Sequence, residues 1–333
     1  MKPPRSALGI DIGGTKIAIG VIAADGRVLA SRALPTESRR GTTDATARIT
    51  TTARLVLHES GLDVEALVGV GIGCSGPVAP LSGEINNPHT LPGWEGWNIV
   101  ASLAHTLGLP VWLENDADAA ALGEYCCGSG RGAERLVMLT VGTGIGGAII
   151  VDGEIYRGAG GEHPEIGHIP VAGEGPECYC GRSGCLESLL SGTAIGAAGQ
   201  RLGFSNAADV FHSAKSDQRA QQILTTAQRA LESAIGTIVH SFAPDRIVLG
   251  GGLVAAQKAF FLEAGRTALG RVRLLPPNAV TLAAARLGNF AGIIGAGRWA
   301  TQRAESQPSR RVPLRDGKSL VNTLPVPPRE IPR

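Results

Sequence analysis

The sequence predicts an α/β protein of two similar domains facing each other across a cleft, with a metal-stapled loop in the second. Three observations predict it. A strand, a glycine hairpin, a second strand, an Asp-Gly turn and a third strand occur at residues 8–32 and again at 136–156. A repeat of that length means two related domains, because solenoid units are only about 20–50 residues. Apolar runs of strand length alternate with longer segments of helical period along the rest of the chain. One histidine and three of the six cysteines gather between Glu165 and Glu187.

The elements follow in order. Residues 7–21 read A-L-G-I-D-I-G-G-T-K-I-A-I-G-V, two apolar runs around Gly13, Gly14 and Thr15, which is the pattern of a hairpin. Asp25-Gly26 turns the chain into a third strand at 27–32. Ile49, Ala53, Leu55, Val56 and Leu57 predict a helix over 43–61, closed by Gly61. A strand at 67–72 runs into Cys74-Ser75-Gly76-Pro77, and residues 81–97 are turn-rich. A helix at 99–107 stops at Gly108, and a buried strand at 110–114 meets Asn115-Asp116, which opens a helix over 117–125. The second copy of the repeat follows: a strand at 135–141, the run Gly142-Thr143-Gly144-Ile145-Gly146-Gly147, a strand at 148–151 and the turn Asp152-Gly153. Beyond the cysteine loop, helices are expected at 189–202 and 217–242, the latter amphipathic through Ile223, Leu224, Leu231, Ile235 and Ile238. A strand at 245–249 leads into Gly250, Gly251 and Gly252. A helix at 257–269, a strand around 280–283 and a last helix at 288–303 complete the pattern. Residues 304–333 are rich in proline and arginine without hydrophobic period, and are expected to be a disordered tail.

Composition excludes several classes of function. With 43% hydrophobic and 18% charged residues and a mean hydropathy of +0.10, the chain reads as a soluble globular protein. A net charge of +2 offers no field for nucleic acid or an anionic membrane. Asp11 and the glycines after it cut the N-terminal apolar segment too short for a secretory signal, and no long apolar run predicts a membrane span. Tightly spaced cysteines without a signal point to a reducing compartment, hence a cytoplasmic protein.

The chemistry lies in four places. Glycine turns such as 11–15 and 140–147 present bare N–H groups and a Thr hydroxyl to an anion, most often phosphate. Two of them facing across a cleft would clasp a triphosphate, and the glycines at 250–252 would let a flat nucleotide approach the backbone. The pattern points to a nucleotide-dependent phosphotransferase. Asp11 is placed to hold Mg2+ directly or through water, or else to cap its own turn. Asn115 and Asp116 stand at a strand-to-helix junction, where one caps the helix and the other can serve as a base for a hydroxyl attacking the γ-phosphoryl group. Asp118 and Glu124 read as solvated or capping charges. In C-x-C-x4-C with His168 upstream, the alternatives are a disulfide, inert thiols or a metal, and the spacing favours structural zinc held by His168, Cys178, Cys180 and Cys185. Glu165 and Glu187 flank that clip and suit a polar ligand. Cys74, Cys126 and Cys127 read as small buried hydrophobes, and His163 as a surface or supporting residue.

Together, I-D-I-G-G-T-K, E-N-D-A-D-A-A-A-L-G-E, T-V-G-T-G-I-G-G, E-I-G-H, C-Y-C-G-R-S-G-C-L-E and I-V-L-G-G-G resemble the ROK family of sugar kinases and sugar-responsive repressors, over residues 7–302 and in the family's order. The resemblance implies two RNase-H-like domains of the actin-like ATPase superfamily, one of residues 1–115 plus the helix 288–303 and one of 116–287. It implies ATP- and Mg2+-dependent phosphorylation of a hexose, glucose to glucose 6-phosphate first, in a homodimer or homotetramer. Asp116 matches the base. Asn115, Glu165, His168 and Glu187 match sugar contacts, with Gly76 near the same pocket. Asp11, Gly13, Gly14, Thr15 and Lys16, with Gly142, Thr143 and Gly144, match the phosphate loops, and Gly250, Gly251 and Gly252 the adenosine motif. His168, Cys178, Cys180 and Cys185 match the zinc ligands, so His168 is expected to offer one ring nitrogen to zinc and the other to the sugar.

Two departures blur the sugar. Pro88-His89-Thr90 stands where many of the family's glucokinases have Pro-Asn, and H-P-E-I-G-H resembles the fructokinase branch. The intact cysteine motif resembles instead the glucokinase and N-acetylmannosamine kinase branches. Fructose, mannose and the N-acetylhexosamines are therefore alternatives to glucose. The repressor alternative needs a DNA-binding module, and only ten residues precede Asp11.

Overall fold

The computed structural model describes residues 6–306. Strands β1 (Ser6–Ile12) and β2 (Lys16–Ile22) are almost wholly buried, as their unbroken runs of Ile, Val and Ala require, while β3 (Val28–Pro35) is largely exposed at the sheet edge. Helix α1 (Thr42–Ser60) buries Ile49, Ala53 and Val56 and ends at the left-handed Gly61. Next come β4 (Leu67–Cys74), the two-residue strands β5 (Val78–Ala79), β6 (Glu84–Ile85) and β7 (Trp97–Asn98), α2 (Ile99–Leu107), β8 (Val111–Asn115) and α3 (Asp116–Cys127). The second half holds β9 (Arg135–Val141), β10 (Ile145–Val151), β11 (Glu154–Ile155), α4 (Leu186–Leu190), α5 (Gly192–Gln200), α6 (Ala207–Ser213) and α7 (Gln218–Phe242). It closes with β12 (Arg246–Gly250), α8 (Gly252–Ala256), α9 (Lys258–Arg271), β13 (Thr281–Ala284) and α10 (Ala291–Ser306).

The fold is mixed α/β. Two five-stranded sheets have the orders β3-β2-β1-β4-β8 and β11-β10-β9-β12-β13. In each, the first three strands form an antiparallel meander and the last two join it in parallel. One core lies around the first sheet with Ile49, Val56 and Leu103 of its helices, and another around the second with Leu231, Ile235, Ile238 and Phe261.

Helix α10 packs on the first sheet at backbone distance. A Cβ at Gly71 of β4 would overlap the Ala296 carbonyl, and one at Gly295 would overlap the Ala119 carbonyl of α3. Glycine is required at both, and through them α10 holds sheet and α3 together.

Several expected boundaries shift for local reasons. The expected helix over 189–202 breaks at Ser191, whose extended backbone and side chain cap α5 through Ala194 N–H at 3.1 Å. Helices α6 and α8, both short, lay below the resolution of the pattern. Strand β10 begins at Ile145, so Gly146 and Gly147 are ladder residues paired with Thr140 and Leu139, and the turn proper is residues 142–144. Residues 81–97 bury Leu91, Trp94 and Trp97 despite their turn-rich sequence. Helix α10 continues to Ser306, so residues 304–306 are helical where the tail was expected. The remainder of that expected tail, 307–333, lies outside the described residues.

Candidate active site

A cavity of about 320 Å3 brings together Asp11, Lys16, Asp116, Gly250, Gly251 and Gly252, and Thr140, Lys258 and Asn289 complete its polar lining. Asp11 stands near the end of β1 against the first turn of α10, where a Cβ at Gly292 would overlap its carboxyl group. Burial and the neighbouring Asp116 push Asp11 up to about 7, against the pull of Lys16. Gly13 N–H closes the hairpin turn on the Lys16 carbonyl at 3.0 Å, and among the described residues no donor reaches the Asp11 side chain. The turn is thus closed without Asp11, which leaves its carboxyl group to the cavity. Gly251 has a φ of +91° and no room for a Cβ beside the backbone of Val141.

Asp116 opens α3 where β8 ends. Capping falls to Asn115, whose Oδ1 accepts the N–H groups of Ala117 at 2.8 Å and Asp118 at 3.3 Å. Asp116 Oδ1 accepts the Ala117 N–H at 2.8 Å, and Oδ2 accepts the Ser75 hydroxyl at 2.7 Å. Burial raises the Asp116 pKa, and these two hydrogen bonds pull it back only in part. Gly76 sits beside the Asn115 side-chain amide. Buried Asn87 donates to the carbonyls of Ser75 and Gly76 and accepts the Thr90 N–H at 2.8 Å. Thr90 in turn touches Gly14 of the first glycine turn.

His168 ends a single 3-10 turn, Ile166–His168, that follows Glu165. Its Nδ1 lies 3.3 Å from Cys178 Sγ, the Cys180 and Cys185 sulfurs are 3.5 Å apart, and all four donor atoms fall within 4.8 Å of one another. A tetrahedral zinc with Zn–S bonds of about 2.3 Å separates its sulfurs by about 3.8 Å. The donor set and its spacing therefore fit the ion. The second ring nitrogen, expected to face a sugar, instead meets the Tyr179 hydroxyl at 3.0 Å. Burial and Glu187 raise the pKa of that phenol. Glu187, in the first turn of α4, accepts the Ile145 N–H at 2.6 Å, joining the cysteine loop to the second glycine turn.

The predicted residues are not all in one place. Asp11, Lys16, Asp116 and the 250–252 glycines line the cavity, whereas Gly13, Gly14, Thr15, Gly142, Thr143 and Gly144 lie on the two hairpin turns outside its lining. Gly76 and Asn115 adjoin Asp116, while Glu165, His168 and Glu187 belong to the cysteine-loop side.

Two expectations need correction. Asp118 and Glu124 are fully buried, not solvated. Asp118 pairs with Arg157 at 2.6 Å and His163 at 2.9 Å, and Glu124 accepts the N–H groups of Ser129, Arg286 and Leu287 at 2.7–2.9 Å. Arg157 also pairs with Glu114, the residue just before the junction that opens α3. Cys126 and Cys127 are half-buried, unlike Cys74. Sequence reasoning missed Ser75, Asn87, Arg157 and Lys258. Arg157 left one signal: it is the sole basic side chain of the Lys/Arg type between Arg135 and Arg182.

The ROK family model matches residues 7–303. The chain belongs to the ROK family. Among relatives of this family member, a glucokinase of Thermotoga maritima is 33% identical over 276 residues, covering 78% of this chain and 86% of the relative. An N-acetylmannosamine kinase of Escherichia coli is 35% identical over 299 residues, covering 87% and 97%. A ROK glucokinase of Streptomyces griseus, solved with glucose and AMPPNP, is similar at a TM-score of 0.72 and 29% identity, covering 89% of this chain and 99% of that one. Among the described residues no helix is long and apolar enough to cross a membrane.

Proposed function

We infer that this ROK protein is an ATP-dependent hexose kinase. One observation carries the reading: Asp116 lines the same cavity as Asp11, Lys16 and the three glycines at 250–252. A candidate base, a candidate metal carboxylate, a lysine and three glycines that expose their backbone thus line one cavity. Asp116 takes the proton of a sugar hydroxyl as that oxygen attacks the γ-phosphorus of ATP, the bond to the β-bridging oxygen breaks, and ADP leaves. Lys16 neutralises charge on the transferring phosphoryl group. Asp11 would hold Mg2+, which supplies further charge neutralisation when bound. Asn115, Glu165 and Glu187 contact the sugar, with Gly76 beside them, and His168 joins them where a sugar hydroxyl takes the place of the Tyr179 hydroxyl on Nε2; Gly13, Gly14, Thr15, Gly142, Thr143 and Gly144 face the phosphates. His168, Cys178, Cys180 and Cys185 hold a structural zinc that fixes the loop between Glu165 and Glu187.

The two sheets belong to two RNase-H-like domains, 1–115 with the C-terminal helix and 116–287, in a cytoplasmic homodimer or homotetramer. The similarity of α10's contacts to a strap across the first sheet supports that assignment of the helix.

Glucose is the first expected substrate, as the glucokinase relatives suggest, and N-acetylmannosamine the second, favoured by the 35% identical relative. Release of ADP measured with glucose, mannose, fructose, N-acetylglucosamine and N-acetylmannosamine separates them, and polyphosphate in place of ATP tests the donor. Phosphorylation of a hexose by ATP is expected. Absence of transfer to every sugar in the panel would overturn the reading.

A further inference from the structure

Next to Asp116 lies a buried cluster of four charged side chains that the phosphoryl-transfer chemistry does not use. Asp118 is fully buried on the first turn of α3, two residues after Asp116. Its Oδ2 accepts Arg157 Nη1 at 2.6 Å and meets His163 Nδ1 at 2.9 Å. Arg157 also pairs with Glu114, and Glu114 accepts the N–H of Asn115 at 2.8 Å. The end of β8, the start of α3 and the segment 157–163 are therefore joined through one network. That segment runs directly into Glu165 and His168.

We propose that Asp118 is a positioning residue that fixes the segment carrying Glu165 and His168 against the helix that carries Asp116. The proposal rests on the hexose-kinase reading of those three residues. A general property of buried ion pairs and one observation favour positioning over plain stability. A buried ion cluster gains little stability over apolar packing of the same volume, but it fixes geometry and is costly to break. Asp118 Oδ1 moreover has no partner among the described residues, so the carboxyl group is not optimised for pairing. Burial pulls the His163 pKa down, yet the hydrogen bond and charge of Asp118 outweigh it and raise the pKa.

Because only four residues separate His163 from His168, a loosened tether moves the sugar contacts while leaving the nucleotide cavity in place. Misplacement of a binding group by about 1 Å can cost a hundredfold. Glucose and N-acetylmannosamine are each titrated calorimetrically, without ATP, into wild type, Asp118→Asn, His163→Ala and His163→Asn. The KM for ATP is measured alongside, with Asp116→Asn as reference. Asp118→Asn and His163→Ala should weaken binding of the sugar that wild type binds by about tenfold or more, with the KM for ATP within about twofold. His163→Asn, which keeps an N–H for Asp118, should restore most of the affinity. Unchanged sugar affinity in His163→Ala, or sugar and ATP constants that rise together, would overturn the proposal. If Asp118→Asn does not fold, the two His163 variants decide the matter. Undiminished turnover in Asp116→Asn would instead overturn the kinase assignment of the site, whereas an inactive Asp116→Asn beside a normally binding His163→Ala would remove the positioning role alone.

Discussion

The Ser75 hydroxyl donates to Asp116 Oδ2 at 2.7 Å, joining the residue that follows β4 to the first residue of α3. A hydrogen bond to a carboxylate favours its charged form. Burial already lifts the Asp116 pKa above the ordinary carboxylate range, and Ser75 is the largest influence opposing that lift.

Removal of that hydroxyl has a definite sign. In Ser75→Ala the Asp116 pKa rises further, so the base stays protonated to higher pH. The acid limb of kcat/KM should move upward by about one unit, since a hydrogen bond to a charged group is worth about 1.5–3 kcal/mol. Loss of activity is then greater at pH 6 than at pH 8. A limb that stays in place, or moves down, contradicts the role given to Ser75.

The cysteine loop makes a separate prediction. Three thiol sulfurs and His168 Nδ1 lie within 4.8 Å of one another, so Cys180→Ser removes one of four donors from a closed site. Protein purified without chelators should hold about one zinc per chain in the wild type and close to none in the variant, with a lower Tm and weaker sugar binding. Wild-type protein without zinc by elemental analysis would remove the metal from the account.

The seam between α10 and the first sheet is testable through Gly71. A methyl group there overlaps the Ala296 carbonyl, a backbone atom that no rotamer change can move. Gly71→Ala should cost about 3 kcal/mol or more in unfolding free energy by denaturant titration. A cost below about 1 kcal/mol would show that α10 can slide on the sheet.

Much of this molecule was legible in its sequence, for physical reasons that name the exceptions. Unbroken runs such as 135–141 and the long amphipathic 217–242 announce their elements because burial repeats along them, and β9 and α7 form there. The glycine run at 142–147 was legible as a turn but not as half a strand. Gly147 sits within the ladder, and it is glycine because Ile166 fills the site a side chain would occupy, a contact between distant parts of the chain. Asp116, Asn115 and the Cys/His cluster could be read from local spacing. Ser75 and Arg157 could not, since each acts only once β4 and β8, or the 157–163 segment and α3, are brought side by side. Asp118 misled for the same reason: a carboxylate on a helix is usually solvated, and only the fold supplies the cations that bury it.

The most direct measurement on the central claim is turnover and sugar binding by Asp116→Asn. The substitution keeps the shape of the side chain and removes its basicity. Phosphoryl transfer from ATP to the sugar should fall by about 10²–10⁴, while the calorimetric Kd for the same sugar stays within about threefold of wild type. Turnover at the wild-type rate would contradict the account, because the proton of the attacking hydroxyl would then have another acceptor.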